Sequence, residues 1–306
     1  MQETNETGEG ELAEYQSRLS EAGIESDYRA VLVRGVPQNP MFDIRAFEAV
    51  IDGFRAKDED VFVATYVKAG TTWVQQILHG LLRGGESGGR YGESVPWLEA
   101  CASSPEVIGP REAPGWTMEE INAAPGPRYF KTHAKVEDLP RGDARPRVIC
   151  VARNPKDTVV SLYHHARNKP EFGFSGDFET FLRIFLSDLA ENGSWFDHVL
   201  GWYQECRRHP ETHLFLKYED LHDDTAAVVQ QLAAFLGLPI NEEILSGTLR
   251  VASLEDMKQN ASIGMNHLRK GGYGGWRGVF TDAMNERFDR LYARKMSASD
   301  LTFRFE

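Results

Sequence analysis

The segment from Val61 to Gly85 constrains this chain more than any other. Val61 to Tyr66 (VFVATY) is a run of β-branched and aromatic residues, and it ends at a Gly-Thr-Thr turn. After the turn Trp73, Val74, Ile77, Leu78, Leu81 and Leu82 recur at helical spacing until Gly84 and Gly85 stop the pattern. The unit recurs along the chain. Arg147 to Ala152 (RVICVA) reads as a second buried strand, with Pro155 where a helix starts before Val159, Val160 and Tyr163. His213 to Tyr218 (HLFLKY) reads as a third, with Asp223 and Asp224 as candidate caps for a helix running through Leu236. Arg128 to Thr132 (RYFKT) reads as a short extra strand. Strands alternating with helices predict an α/β fold, a central parallel sheet flanked by helices on both faces. Ligands of such sheets bind beyond the carboxyl ends of the strands.

The length of 306 residues fits one large domain or two small ones, and no repeat, low-complexity tract or linker divides it. The expected organisation is a flexible or weakly helical segment over residues 1–25 and a single domain over 26–306. A net charge of -12 argues against a nucleic-acid binder, because phosphate backbones are held by clustered Lys and Arg. Cys101, Cys150 and Cys206 are widely spaced, as suits reduced thiols and neither a disulfide framework nor a zinc site. The polar, acidic start is unlike a signal peptide, and no apolar run approaches the roughly 20 residues of a membrane span. A cytoplasmic protein is expected.

The turn itself, Thr65-Tyr-Val-Lys-Ala-Gly-Thr-Thr-Trp73, has the chemistry of an anion site. Gly70 permits a tight turn and close backbone approach. The amides of Thr71, Thr72 and Trp73 open a helix, so they are expected to lack intrahelical partners and to carry the positive end of its dipole. Lys68 and two hydroxyls converge on the same point. The loop is P-loop-like but not a Walker A motif: the GxxxxGK[ST] spacing is absent and the lysine precedes the glycine. Taken alone, the segment also serves as a plain strand-to-helix turn with a solvated lysine and threonine caps.

The order of further motifs resembles the cytosolic sulfotransferase family, whose phosphosulfate loop reads YPKSGTTW where this chain has YVKAGTTW. Lys131-Thr132-His133 matches the family's KTH, and Arg153 through Ser161 its 3′-phosphate motif. Tyr218-Glu219-Asp220 matches YED, and Arg269-Lys270-Gly271 the late RKG, followed by Trp276 and Phe280-Thr281. Gly35-Val36-Pro37 and the closing Leu301 to Phe305 resemble its early and final elements, so the similarity spans about Val33 to the C-terminus.

The resemblance implies an enzyme that moves a sulfuryl group from 3′-phosphoadenosine 5′-phosphosulfate (PAPS) to a hydroxyl of a small organic acceptor, leaving adenosine 3′,5′-bisphosphate (PAP), with no metal. It implies His133 as general base, because imidazole titrates near neutral pH. Lys68 would stabilise the leaving phosphate oxygen and Lys131 the transferring group. Lys68, Ala69, Gly70, Thr71 and Thr72 would hold the 5′ end of the donor. Arg153 and Ser161, with Arg269, Lys270 and Gly271, would hold the 3′-phosphate. Trp73, Tyr218 and Leu254 would pack the adenine. Trp97, in Val95-Pro96-Trp97-Leu98-Glu99, stands where an aromatic residue lines the family's acceptor pocket. His164 and His165 read as structural or pocket-lining.

Four residues depart from the family pattern: Val67 for proline, Ala69 for serine, Gly275 for aspartate and Leu254 for phenylalanine. The stretch from Leu254 to Arg269 is shorter than in animal members, which predicts a more open acceptor site. The family's dimer motif survives as Arg277, Thr281, Asp282 and Glu286, with aspartate in place of valine, so a monomer or a homodimer is expected. Two rivals share the loop chemistry: a P-loop phosphoryl transferase and a non-catalytic module that binds PAP or PAPS. Phenols, steroids, lipid alcohols and secondary metabolites all stay open as acceptors.

Overall fold

The computed structural model describes residues 2–101, 116–259 and 272–306. Strand β1 (Val31–Val33) and β2 (Val36–Gln38) form a small antiparallel hairpin. The main sheet holds β3 (Val61–Thr65), β4 (Tyr129–Thr132), β5 (Arg147–Ala152) and β6 (His213–Lys217), all parallel, in the order β4-β3-β5-β6. Every residue of β3 is buried, as a central parallel strand covered on both faces requires. The expected architecture is thus the observed one.

Chain order makes the site. From β3 the chain crosses to β4 on one side, then passes back over β3 to β5 on the other. The connections leave the sheet in opposite directions at the β3–β5 boundary, and their carboxyl ends open a crevice there. Val61 pairs with Arg147 and Thr65 with Val151, so the two strands finish level with one another. The loop after β3 and the residue after β5 are neighbours for that reason.

Helices cover both faces. The Thr71–Leu82 helix buries Val74, Ile77, Leu78 and Leu81 against Val61, Val63, Ile149 and Val151, and the Thr225–Leu236 helix completes that layer. On the other face Val159, Val160, Leu162 and Tyr163 of the Pro155–Asn168 helix join Phe172, Phe181, Trp195 and Phe196. Asn154 caps the Pro155–Asn168 helix by accepting from the Asp157 amide at 2.8 Å, with Pro155 in the first turn. Asp224 caps the Thr225–Leu236 helix, as expected, whereas Asp223 accepts from the Tyr273 hydroxyl.

The N-terminal segment is more ordered than its composition suggests. Gln2–Glu21 is helical, and Tyr15, Leu19 and Ile24 are buried in the larger core cluster. Tyr15 donates to the Leu189 carbonyl at 2.7 Å. So few apolar residues in a polar stretch give almost no periodic signal; their burial comes from a partner almost two hundred residues away. Among the described residues no helix is long and apolar enough to cross a membrane. Of the residues matching the dimer motif, Thr281 caps the Asp282–Met296 helix and Arg277 pairs with Glu306.

The base of the sheet is fixed by a buried ion pair. Arg128 Nε donates to Asp60 at 2.8 Å, its other nitrogens donate to the Ile121 and Arg55 carbonyls, and its guanidinium lies over the rings of Phe54 and Phe130. Removing one partner strands a buried charge, which costs about 3–5 kcal/mol. Asp60→Ala is therefore expected to lower the urea-unfolding free energy by roughly that amount, read by circular dichroism. A loss below about 1 kcal/mol shows the pair to be dispensable.

Candidate active site

The loop after β3 is shaped by two left-handed residues. Gly70 has φ 103°, and a Cβ there would come within 2.6 Å of the Tyr218 ring. Lys68 has φ 68°, a conformation that disfavours any residue with a Cβ. Its place is held on both sides. The Ala69 amide donates to the Tyr66 carbonyl at 3.1 Å, and Arg153 reaches the Lys68 carbonyl at 3.4 Å. Thr71 Oγ1 lies 2.6 Å from Thr65 Oγ1, tying the helix start to the strand end. One expectation needs correcting: the Trp73 amide is not open, because it donates to the Gly70 carbonyl at 3.0 Å. A three-residue turn tightens the helix start, and no backbone acceptor takes the Thr71 or Thr72 amide among the described residues.

Arg153 follows β5 directly and crosses the crevice mouth. Its guanidinium lies 4.4 Å from the Tyr218 ring centroid and donates to the Gly272 carbonyl at 3.0 Å. Trp73 meets Tyr218 edge to face at 5.6 Å. The Asn154 amide donates to Glu219 at 2.8 Å, which fixes the end of β5 against the Tyr-Glu-Asp turn. Asp157 accepts from the Gly274 and Trp276 amides at 2.6 and 3.0 Å and so pulls the late loop onto the same helix start. Sequence reasoning passed over Asp157, whose role depends on a loop more than a hundred residues away.

His133 ends β4. Its Nδ1 lies 2.8 Å from the Thr65 carbonyl and 3.2 Å from the Thr65 hydroxyl. A carbonyl can only accept, so Nδ1 carries the proton and Nε2 is the basic nitrogen. Trp97 packs edge to face on the imidazole at 5.3 Å, and Lys131 Nζ sits 4.1 Å above the same indole. Behind it His198 is buried, which pushes its pKa down to about 3 and leaves it neutral.

One cavity of about 740 Å³ joins these groups. Its walls include Lys68, Gly70, Thr71, Thr72, Trp73, Arg153, Ser161 and Tyr218 on one side and Trp97, Lys131 and His133 on the other. Leu254 also lines it and is 37% exposed. Ala69 is fully buried and does not line it. Arg269, Lys270 and Gly271, and most of the shortened stretch before them, lie outside the described residues. His165, read from the sequence as structural or pocket-lining, lines it, and so do Lys169 and Glu191, which no sequence motif singles out. Burial alone would raise the Glu191 carboxyl, but His165 beside it, with His133 and Lys68 nearby, holds it below the usual carboxylate range. Burial and Lys68 lower His165.

A family model for the sulfotransferase domain matches residues 58–300. Sulfotransferase 1B1 of Canis lupus familiaris is 34% identical over 275 residues, covering 84% of this chain and 90% of that protein. Cytosolic sulfotransferase 1 of Danio rerio is 36% identical and covers 84% and 89%. Among solved structures, mouse sulfotransferase SULT7A1 complexed with PAP superposes with a TM-score of 0.74 at 28% identity, covering 87% of this chain and 93% of that one.

The geometry around Gly70 carries its own expectation. Gly70→Ala forces the Tyr218 ring aside and strains the backbone, costing about 1–3 kcal/mol. Millimolar pyrophosphate is expected to raise the melting temperature of the unaltered protein, and Gly70→Ala is expected to lose most of that rise. An equal rise in both proteins places anion binding elsewhere.

Proposed function

The chain belongs to the cytosolic sulfotransferase family, and we propose that it transfers a sulfuryl group from PAPS to a hydroxyl of a small organic acceptor, with His133 as general base. What supports this most is the single cavity in which an amide-and-lysine cradle, an arginine–serine pair and an oriented imidazole converge. The fit to a doubly phosphorylated nucleotide is chemical. Lys68, Lys131 and Arg153 supply positive charge inside a chain of net charge -12. Arg153 Nε and Trp73 Nε1 are buried donors without a protein acceptor among the described residues.

In this reading Lys68 and the Thr71 and Thr72 amides hold the 5′ side of the donor. Arg153 and Ser161 hold its 3′-phosphate, with Trp73 and Tyr218 against the adenine. The acceptor oxygen attacks sulfur in line, its proton passes to His133 Nε2, and the bond from sulfur to the 5′-phosphate oxygen breaks. Lys68 offsets the charge on that leaving oxygen, and Lys131 the charge on the transferring oxygens. Holding Nδ1–H on the Thr65 carbonyl keeps the basic nitrogen fixed in tautomer and direction. Trp97 is the acceptor's apolar wall. The protein acts in the cytoplasm as a monomer or homodimer.

Incubation with sulfur-labelled PAPS and p-nitrophenol, a sterol or a long-chain alcohol is expected to give labelled acceptor. PAPS binding with no transfer to any of a broad panel points to a binding module instead, and magnesium-dependent ATP turnover to a phosphoryl transferase. His133→Ala is expected to abolish turnover with PAP affinity within about threefold of the unaltered protein; full activity in that variant refutes the base. Arg153→Ala is expected to weaken PAP binding by about 10- to 100-fold, the scale of a lost charge-assisted contact. Calorimetry with PAP reads both.

A further inference from the structure

The segment before β4, not β4 alone, holds the reacting residues. Trp97 forms a parallel bridge with Lys131, and the Lys131 amide donates to the Pro96 carbonyl at 2.8 Å. Pro96 and Trp97 thus lie alongside β4, and Glu99 sits in the single helical turn Leu98–Ala100 that follows. Glu99 then reaches under the turn that follows. One of its oxygens accepts from the Thr132 hydroxyl at 2.6 Å and from the His133 amide at 2.9 Å. The Thr132 hydroxyl in turn accepts from the Ala134 amide at 3.0 Å, so the carboxylate fixes the backbone on both sides of the imidazole.

Glu99 is only 5% exposed, and its second oxygen has no protein hydrogen-bond partner among the described residues. A buried carboxyl left half satisfied is costly, and a fold with apolar alternatives at hand would ordinarily avoid it. A small cavity of about 40 Å³, lined by Glu99, Thr132 and His133 among others, adjoins it. Two hydrogen-bonded links act on the imidazole and its backbone, Nδ1 to Thr65 and the main chain to Glu99, while Trp97 packs on the ring.

We propose that Glu99 is a positioning residue for the transfer step: it sets the Thr132–His133 backbone so that the imidazole, pinned at Nδ1, directs Nε2 at the acceptor hydroxyl. This rests on the reading of His133 as base. A displacement of about 1 Å at a reacting group costs on the order of 100-fold in rate, whereas donor binding, held by Lys68 and Arg153, is untouched.

The test compares the unaltered protein, His133→Ala, Glu99→Gln and Glu99→Ala by steady-state sulfation of p-nitrophenol, with active sites counted by PAP titration. Glu99→Gln keeps one accepting oxygen and the side-chain volume. It is expected to lose roughly 10-fold in kcat and Glu99→Ala roughly 100-fold, with the KM for PAPS within about threefold in both. Should the alanine variant not fold, Thr132→Val removes one of the two donors and is expected to show the smaller loss. A kcat per PAP site within twofold of the unaltered protein in both glutamate variants overturns the proposal, as does a loss confined to the KM for PAPS. Full turnover by His133→Ala overturns the base reading separately, and absence of any transfer by the unaltered protein overturns the enzyme reading before Glu99 is tested.

Discussion

Two parallel strands that end level with one another, β3 and β5, carry the whole arrangement. Because the chain leaves them in opposite directions, their carboxyl ends stand apart from any covering helix, and a crevice opens between them. One strand delivers a left-handed lysine and a helix start; the other delivers an arginine. Neither group could hold a polyanion alone. Fixed at adjacent strand ends, they form one surface whose spacing is set by the sheet and not by flexible side chains.

The crevice is kept open and aimed by contacts outside it. Tyr218 is the hub: Gly70 passes beneath its ring, Trp73 meets its edge and Arg153 lies over its face. Glu219, the next residue, holds the amide after Arg153. Asp157 draws the late loop down by two amides. The strain in the loop at Lys68 persists because these neighbours over-determine it. His133 is governed by the same economy of small, directed bonds, from Thr65 at the ring and Glu99 at the main chain.

Much of this was legible in the residues. The strand-turn-helix at Val61–Leu82, the Asn154-Pro155 helix start and the Asp224 cap each follow from local chemistry, since capping and periodicity act over a few residues. Lys68, Arg153, Ser161, Tyr218 and His133 were identifiable because ordered motifs carried them, and the cavity gathers all five. Other features gave no such signal. The Trp73 amide is taken by a tightened first turn, and Ala69 is buried and does not line the cavity although it stands in the loop. Glu191 and Lys169 wall the cavity from positions that no motif marks.

By itself the amino-acid order determined which pieces would be strands and helices, where a helix start would leave amides open, and which family the chain resembles. It did so because each of those properties is fixed by neighbours a few residues apart. Only the tertiary structure decided that Cys150 and Cys206, wide apart in the chain, lie 3.3 Å sulfur to sulfur, that Tyr15 and Leu19 anchor a polar N-terminal helix, and that Glu99 braces His133. Those contacts join segments between 34 and 174 positions apart. Which distant groups meet is set by strand order and register, and no local pattern encodes either.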